Sequence, residues 1–194
     1  MRCILCCIFV SLVASSATGK CRAVYERGVS GSQPNIIVSR HNAIRLQVAQ
    51  GKLPYQPKAS NMKRISWDNS LAQAAQKIAD TCIFAHVPVH DSRFRVGQNI
   101  YLWSATFSLP GANWTSAINA WFDEYKTYKY GTSAYNHYTQ LVWANTKYVG
   151  CGYTYFKDSR KSWYKKYYVC NYGPTGNYIG QTPYNIGKGC DNLC

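Results

Sequence analysis

The sequence predicts an α+β fold in which helices pack on a mostly antiparallel sheet. Three observations carry that expectation. Apolar residues recur at helical spacing in three separate segments, and strand-like alternation crowds the last third of the chain. The regular alternation of strand and helix that a parallel sheet needs is missing. No internal repeat or low-complexity linker breaks the 194 residues into smaller units.

In chain order, the first stretch is excluded from the fold. Arg2, an apolar run over 3–14 and an A-x-A-like arrangement of Ala17 and Gly19 read as a secretory signal peptide over 1–19. No later run reaches the roughly 18 apolar residues of a spanning helix, so the expected product is secreted and soluble. Residues 20–33 read as a short Gly- and Ser-containing arm. A first helix is predicted from about 34 to 50, with Ile37, His41, Ile44 and Val48 on one face, Gly51 ending it and Pro54 beyond. His41 lies on that apolar face, where a lone histidine is expected to be a hydrogen-bonded core residue. After a proline-containing loop, Asp68 caps a second helix whose stripe of Leu71, Ala75, Ile78 and Cys82 turns Cys82 inward. A loop with His86, Pro88 and His90 then leads into a strand over 96–103.

Asn113 caps a third helix with a heavy stripe of Trp114, Ala117 or Ile118, Trp121 and Tyr125. Glu124 sits at the edge of the stripe, able to turn towards a pocket or towards water. Asn113-Trp114-Thr115 is also the only N-glycosylation sequon, a candidate rather than an assigned site. The apolar run over 137–143 reads as a buried strand with His137 at its mouth. Two more strands alternate over 149–155 and 164–170. Their turn centres on Arg160 and Lys161, which sets Cys151 opposite Cys170, close enough for a disulfide. Residues 185–194 form a short tail with Cys190 and Cys194.

Six of nine cysteines remain once the signal leaves: Cys21, Cys82, Cys151, Cys170, Cys190 and Cys194. In an oxidising compartment that even number predicts three disulfides, and the spacings do not fit a zinc ribbon. A net charge of +14 favours anionic partners such as lipid headgroups or sulfated glycans. Secretion and the lack of a nucleic-acid-binding motif argue against nucleic acid. Lys157, Arg160, Lys161, Lys165 and Lys166 form a cluster that either docks an anionic membrane or glycan or is the wet face of a hairpin.

Several of these motifs resemble one family. His137-Tyr138-Thr139-Gln140-Leu141-Val142-Trp143 looks like the first signature of the CAP superfamily, which holds cysteine-rich secretory proteins, antigen-five venom allergens and plant pathogenesis-related proteins. Tyr168-Val169-Cys170-Asn171-Tyr172-Gly173-Pro174-Thr175-Gly176-Asn177-Tyr178 looks like the second, and His41-Asn42-x-x-Arg45 and Gly97-Gln98-Asn99 are further family marks. The resemblance places a CAP domain over 34–184 and is nearest to arthropod antigen-five proteins of venom or saliva. It implies a three-layer α-β-α sandwich and a cleft where His86, His137 and Glu124 converge with a fourth position, Gln98. That fourth position is usually acidic in the family, and Asn136 replaces the usual glycine before the histidine. The resemblance also implies the pairs Cys21–Cys82, Cys151–Cys170 and Cys190–Cys194.

Two imidazoles and a carboxylate make a zinc ligand set with open positions, so His86 and His137 are the candidate metal ligands. Such a metal is not expected to be needed for folding, and it should leave as falling pH protonates the ligands. A hydrolase using Glu124 with either histidine is the alternative. It lacks a G-x-S-x-G elbow or an H-E-x-x-H helix, and Gln98 cannot act as an acid or base. A channel-modulating toxin is a second alternative, weaker because the chain stops at Cys194 without the cysteine-rich domain tied to that activity in reptile venoms. The resemblance implies binding of sterols or fatty acids between helices, and the aromatic residues Trp114, Trp121, Phe122 and Tyr125 are compatible with an apolar groove. The expectation is a monomeric, non-enzymatic venom or salivary component that binds small lipids or host proteins.

Overall fold

A computed structural model describes residues 21–158, 161–189 and 192–194; the signal-peptide segment, Arg160 and Cys190 lie outside them. One sheet contains β1 (Cys21–Arg27), β2 (Ser66–Trp67), β3 (Gly97–Ala105), β4 (Tyr148–Asp158) and β5 (Tyr164–Gly173). Its order is β1-β4-β5-β3 with all neighbours antiparallel, and the two-residue β2 pairs in parallel with β4.

Alternation along β4 and β5 divides the interior into two cores. Val149, Cys151, Tyr153 and Tyr155 share a face with Tyr168, Cys170 and Tyr172, and this face is covered by α1 (Gln33–Ala49), α3 (Trp114–Phe122) and α4 (His137–Leu141). Phe156, Tyr167 and Val169 point the other way, against α2 (Asn69–Ala79). The chain is therefore a three-layer α-β-α sandwich. Among the described residues no helix is long and apolar enough to cross a membrane.

Glycine sets how closely α2 lies on the sheet. A Cβ on Gly150 would stand 2.2 Å from the Ala72 nitrogen, and one on Gly152 would stand 2.4 Å from the Gln76 nitrogen. The helix backbone rests directly on β4 at these two points. The Gln76 side chain then ties the layers, accepting from the Tyr153 N–H at 2.9 Å and donating to the Tyr153 carbonyl at 3.0 Å.

Three elements differ from the sequence-based expectation. Residues 137–143 do not form a strand: α4 occupies their first five positions. The Asn136 side chain accepts from the Thr139 N–H at 3.0 Å and the Thr139 hydroxyl accepts from the Asn136 N–H at 2.9 Å, a reciprocal cap that starts a helix. The N-terminal arm holds β1, whose register shifts twice against β4 and so hides its alternation. Cys82 faces inward, but from a turn beyond α2, at φ 54°. Cys21 is bridged to Cys82, and Cys151, opposite Cys170 in the ladder, is bridged to it. Cys194 is also disulfide-bonded, while Cys190, its implied partner, lies outside the described residues.

Candidate functional site

Past Phe122 the third helix tightens into a 3₁₀ turn, Asp123–Lys126, which aims Glu124 at the start of α4. There the His137 backbone N–H has no intrahelical acceptor and donates to Glu124 Oε2 at 2.7 Å. The ring Nδ1 of His137 meets Oε1 of the same carboxylate at 2.6 Å. Asn99 donates from Nδ2 to the His137 carbonyl at 3.1 Å, and the Trp121 ring lies nearly parallel to the imidazole at 6.2 Å between centroids. Partial burial pushes the Glu124 carboxyl up. The hydrogen bond and charge of His137 outweigh that push and hold it below the usual carboxylate range.

His86 is held differently. Gln98 Oε1 lies 3.1 Å from His86 Nδ1 and accepts from the Val87 N–H at 3.1 Å, while Gln98 Nε2 donates to the Val87 carbonyl at 3.1 Å and to Asn171 Oδ1 at 3.0 Å. An amide oxygen only accepts, so His86 Nδ1 is the donor in this contact, and Nε2 makes no hydrogen bond among the described residues. Gln98 and Asn99 are consecutive on the edge strand β3, so their side chains point to opposite faces.

The four cleft positions thus resolve into two pairs, Glu124 with His137 and Gln98 with His86. No hydrogen bond or ion pair links the pairs among the described residues. No three His, Cys, Asp or Glu side chains there come together as a group able to hold a metal. Both oxygens of Glu124 contact His137, one at its backbone N–H and one at its ring, so the carboxylate orients the imidazole. The sequence reading passed over Asn99 as an orienting residue, although it stands in the Gly97-Gln98-Asn99 mark.

His41 is a core residue: it is fully buried, with Nδ1 2.7 Å from the Ile37 carbonyl and Nε2 3.0 Å from the Tyr172 hydroxyl. Burial is the main reason its pKa falls to about 4; the Ile37 hydrogen bond opposes the fall, and the charges of Arg45 and Arg40 add to it. Arg45 is equally buried. It donates to five carbonyls, those of Lys63, Leu141, Trp143, Ala144 and Thr146, at 2.7 to 3.1 Å. That set uses every N–H of the guanidinium and fixes the chain that leaves α4.

A cavity of about 440 Å³ opens at the N-terminal ends of α1 and α3, over the far end of β3 and β5. Its walls include Tyr101, Trp103, Leu109, Pro110, Trp114 and Tyr168. Of the four aromatic residues singled out in the third helix, only Trp114 lines it; Trp121 is core, and Phe122 and Tyr125 pack against the core elsewhere. Lys166 also lines this cavity and is only 4% exposed. The expected basic cluster is therefore no single face: Lys166 points inward, Lys165 pairs with Asp158 at 2.5 Å, and Arg160 lies outside the described residues. Asn113 is exposed and caps α3 by accepting from the Ser116 N–H at 2.9 Å.

An α-β-α sandwich with one histidine tied to a carboxylate at a helix start and another at the sheet edge defines a CAP-type domain. The chain belongs to the CAP family, described as the Cysteine-rich secretory protein family, whose family model matches residues 38–172. It is 40% identical over 190 residues to "Salivary antigen-5" of Dipetalogaster maximus, covering 86% of this chain and 76% of that protein. It is 36% identical over 218 residues to "Venom allergen 5" of Tityus serrulatus, covering 95% of this chain and 52% of that protein, so it spans about half of that relative's length. Among solved structures, that of NaASP2 with Zn2+ superposes with a TM-score of 0.66 at 27% identity, covering 86% of this chain and 97% of that one.

Proposed function

We propose that this is a secreted, non-enzymatic antigen-five-type protein that binds a small apolar ligand. The observation that carries the reading is the aromatic-walled cavity of about 440 Å³, within the size range of small-molecule sites. The names of the salivary and venom relatives support secretion. The state of the acid and base candidates supports binding over hydrolysis. Glu124 is held ionised by His137 and is poorly suited to donate a proton near neutral pH, and Gln98 cannot titrate. Native mass spectrometry of protein from a eukaryotic secretion host tests this directly. A co-purified lipid, or saturable uptake of an added sterol or fatty acid, is the expected result. Bare polypeptide that takes up none of these overturns the reading.

A metal-competent role for the histidines is the second reading, and the donor chemistry favours it. Each imidazole has Nδ1 engaged, His137 by a carboxylate and His86 by an amide oxygen, the outer support typical of metal-bound histidines. The NaASP2 structure with zinc is the parallel. His86 and His137 would hold the ion through Nε2, and the ion would supply a positive docking point for an anionic partner. Zinc uptake measured by calorimetry should fall at least tenfold in the double variant His86→Ala/His137→Ala, with circular dichroism unchanged. Undiminished uptake rules these two ligands out.

A further inference from the structure

The ligand and metal readings leave the motif Asn113-Trp114-Thr115 unused, and the fold gives each of its residues a different setting. The Asn113 carboxamide is divided between its two ends. Its Oδ1 accepts from the Ser116 N–H at 2.9 Å and caps α3, while its Nδ2 makes no hydrogen bond among the described residues. The backbone beneath it is fixed, with the Asn113 N–H donating to the Tyr168 hydroxyl at 3.0 Å. Trp114 is 2% exposed and donates from its ring N–H to Gln33 Oε1 at 3.2 Å, which anchors the motif to α1. Asn113 and Thr115 are both exposed, on the polar part of the cavity rim with Gln33 and Ser116. Gly111, two residues earlier, is exposed too, and a Cβ built on it would meet no atom within 4 Å, so the space ahead of the helix is open.

We infer that Asn113 carries an N-linked glycan on Nδ2, and that the same carboxamide keeps the helix cap through Oδ1. The inference rests on secretion, proposed above, and adds the modification and its atom. The two tasks are compatible because glycosylation takes a hydrogen from the nitrogen and leaves the lone pairs of the oxygen alone. In the transfer, Nδ2 bonds to the anomeric carbon of an oligosaccharide carried on a polyprenyl diphosphate. The bond from that carbon to the diphosphate oxygen breaks, one amide proton passes to a base of the transferase, and polyprenyl diphosphate leaves. Trp114 is buried in the folded chain, so the motif is read before α3 packs into the core. The hydrophilic chain then stands at the rim of the cavity, where Asn113 is exposed.

The test expresses the full chain, with its own residues 1–19, in mammalian cells beside a secreted glycoprotein of known occupancy. Most of the protein in the medium should exceed its polypeptide mass by one glycan, removable by peptide-N-glycosidase F, and removal in heavy-oxygen water should label residue 113 alone. Thr115→Ala deletes the motif and leaves the cap, so it should be secreted bare with an unchanged unfolding midpoint. Asn113→Ala loses glycan and cap together and should unfold at lower denaturant. Hydrogen exchange at the Ser116 amide should be equally slow in the glycosylated wild type and in Thr115→Ala. Bare wild type in the medium, beside an occupied companion, overturns the inference and leaves secretion standing. Bare protein confined to the cells overturns both. A glycan that persists in Thr115→Ala refutes the site, and a Ser116 amide that exchanges faster only in the glycosylated form refutes the shared carboxamide.

Discussion

His41 and Arg45 lie four residues apart on α1, and both are fully buried without a carboxylate partner among the described residues, yet they answer the problem in different ways. Arg45 stays charged and spends its five N–H groups on five carbonyls, whereas His41 stays neutral, its pKa lowered to about 4. A histidine whose folded pKa lies below its unfolded value of 6.5 stabilises the fold fully above that value and loses the contribution as pH falls towards 4. Urea unfolding should therefore show a loss of about 2 kcal/mol between pH 7 and pH 5 that is absent in His41→Gln. An equal loss in the variant assigns the effect elsewhere. Glu124 loses its contribution in the same direction, but over a lower pH range. Its folded pKa is depressed, so its contribution is present above the ordinary carboxylate range and disappears as pH falls through the lower, folded value. The destabilisation caused by Glu124→Gln should accordingly be greatest near neutral pH and shrink in acid; a pH-independent difference would mean that lost packing, not the lost carboxylate charge, is what the variant measures.

Among the elements, α2 is the one most tightly constrained by residues it does not contain. Gly150→Ala or Gly152→Ala would put a methyl group 2.2 to 2.4 Å from helix backbone, where no flexible side chain can yield. Each should cost about 1–3 kcal/mol or more in guanidinium unfolding, as overpacked interiors do. A cost below about 0.5 kcal/mol would show that the helix rides outward freely. The helices were legible in the sequence where a stripe and a cap agree, as with Asp68 before α2 and Asn113 before α3. The hairpin was legible because β4 and β5 alternate cleanly through Cys151 and Cys170. By contrast, α4 was masked by an apolar run too short to separate helix from strand, and only the reciprocal Asn136–Thr139 cap gave a local signal. The candidate site was half legible for the same reason. Motifs locate His86, Gln98, Glu124 and His137, but their grouping into two pairs depends on the edge position of β3 and the opposite sides of residues 98 and 99. Lys166 was grouped with the basic residues around it, Lys165 among them, and only the β5 pleat tells inside from outside.

At the scale of the whole molecule, the sheet is braced across two very different spans of chain. The Cys151–Cys170 bridge joins residues 19 apart within one hairpin, and the Cys21–Cys82 bridge joins residues 61 apart, tying edge strand β1 to the turn after α2. Chain entropy makes the longer link worth about 4 kcal/mol against about 3 for the shorter, because it removes more freedom from the unfolded chain. Beyond that link β1 has a ladder to β4 interrupted by two register shifts, while β4 and β5 pair without a break. Two effects should then separate in the double variant Cys21→Ala/Cys82→Ala. Global stability by guanidinium unfolding should fall by about 4 kcal/mol. Amide exchange should accelerate beyond that global loss in residues 21–27, and not in β5, because β1 can now open while the rest of the sheet stays paired. Uniform acceleration across both strands would mean that β1 opens only when everything does, and that the bridge acts on the unfolded chain alone.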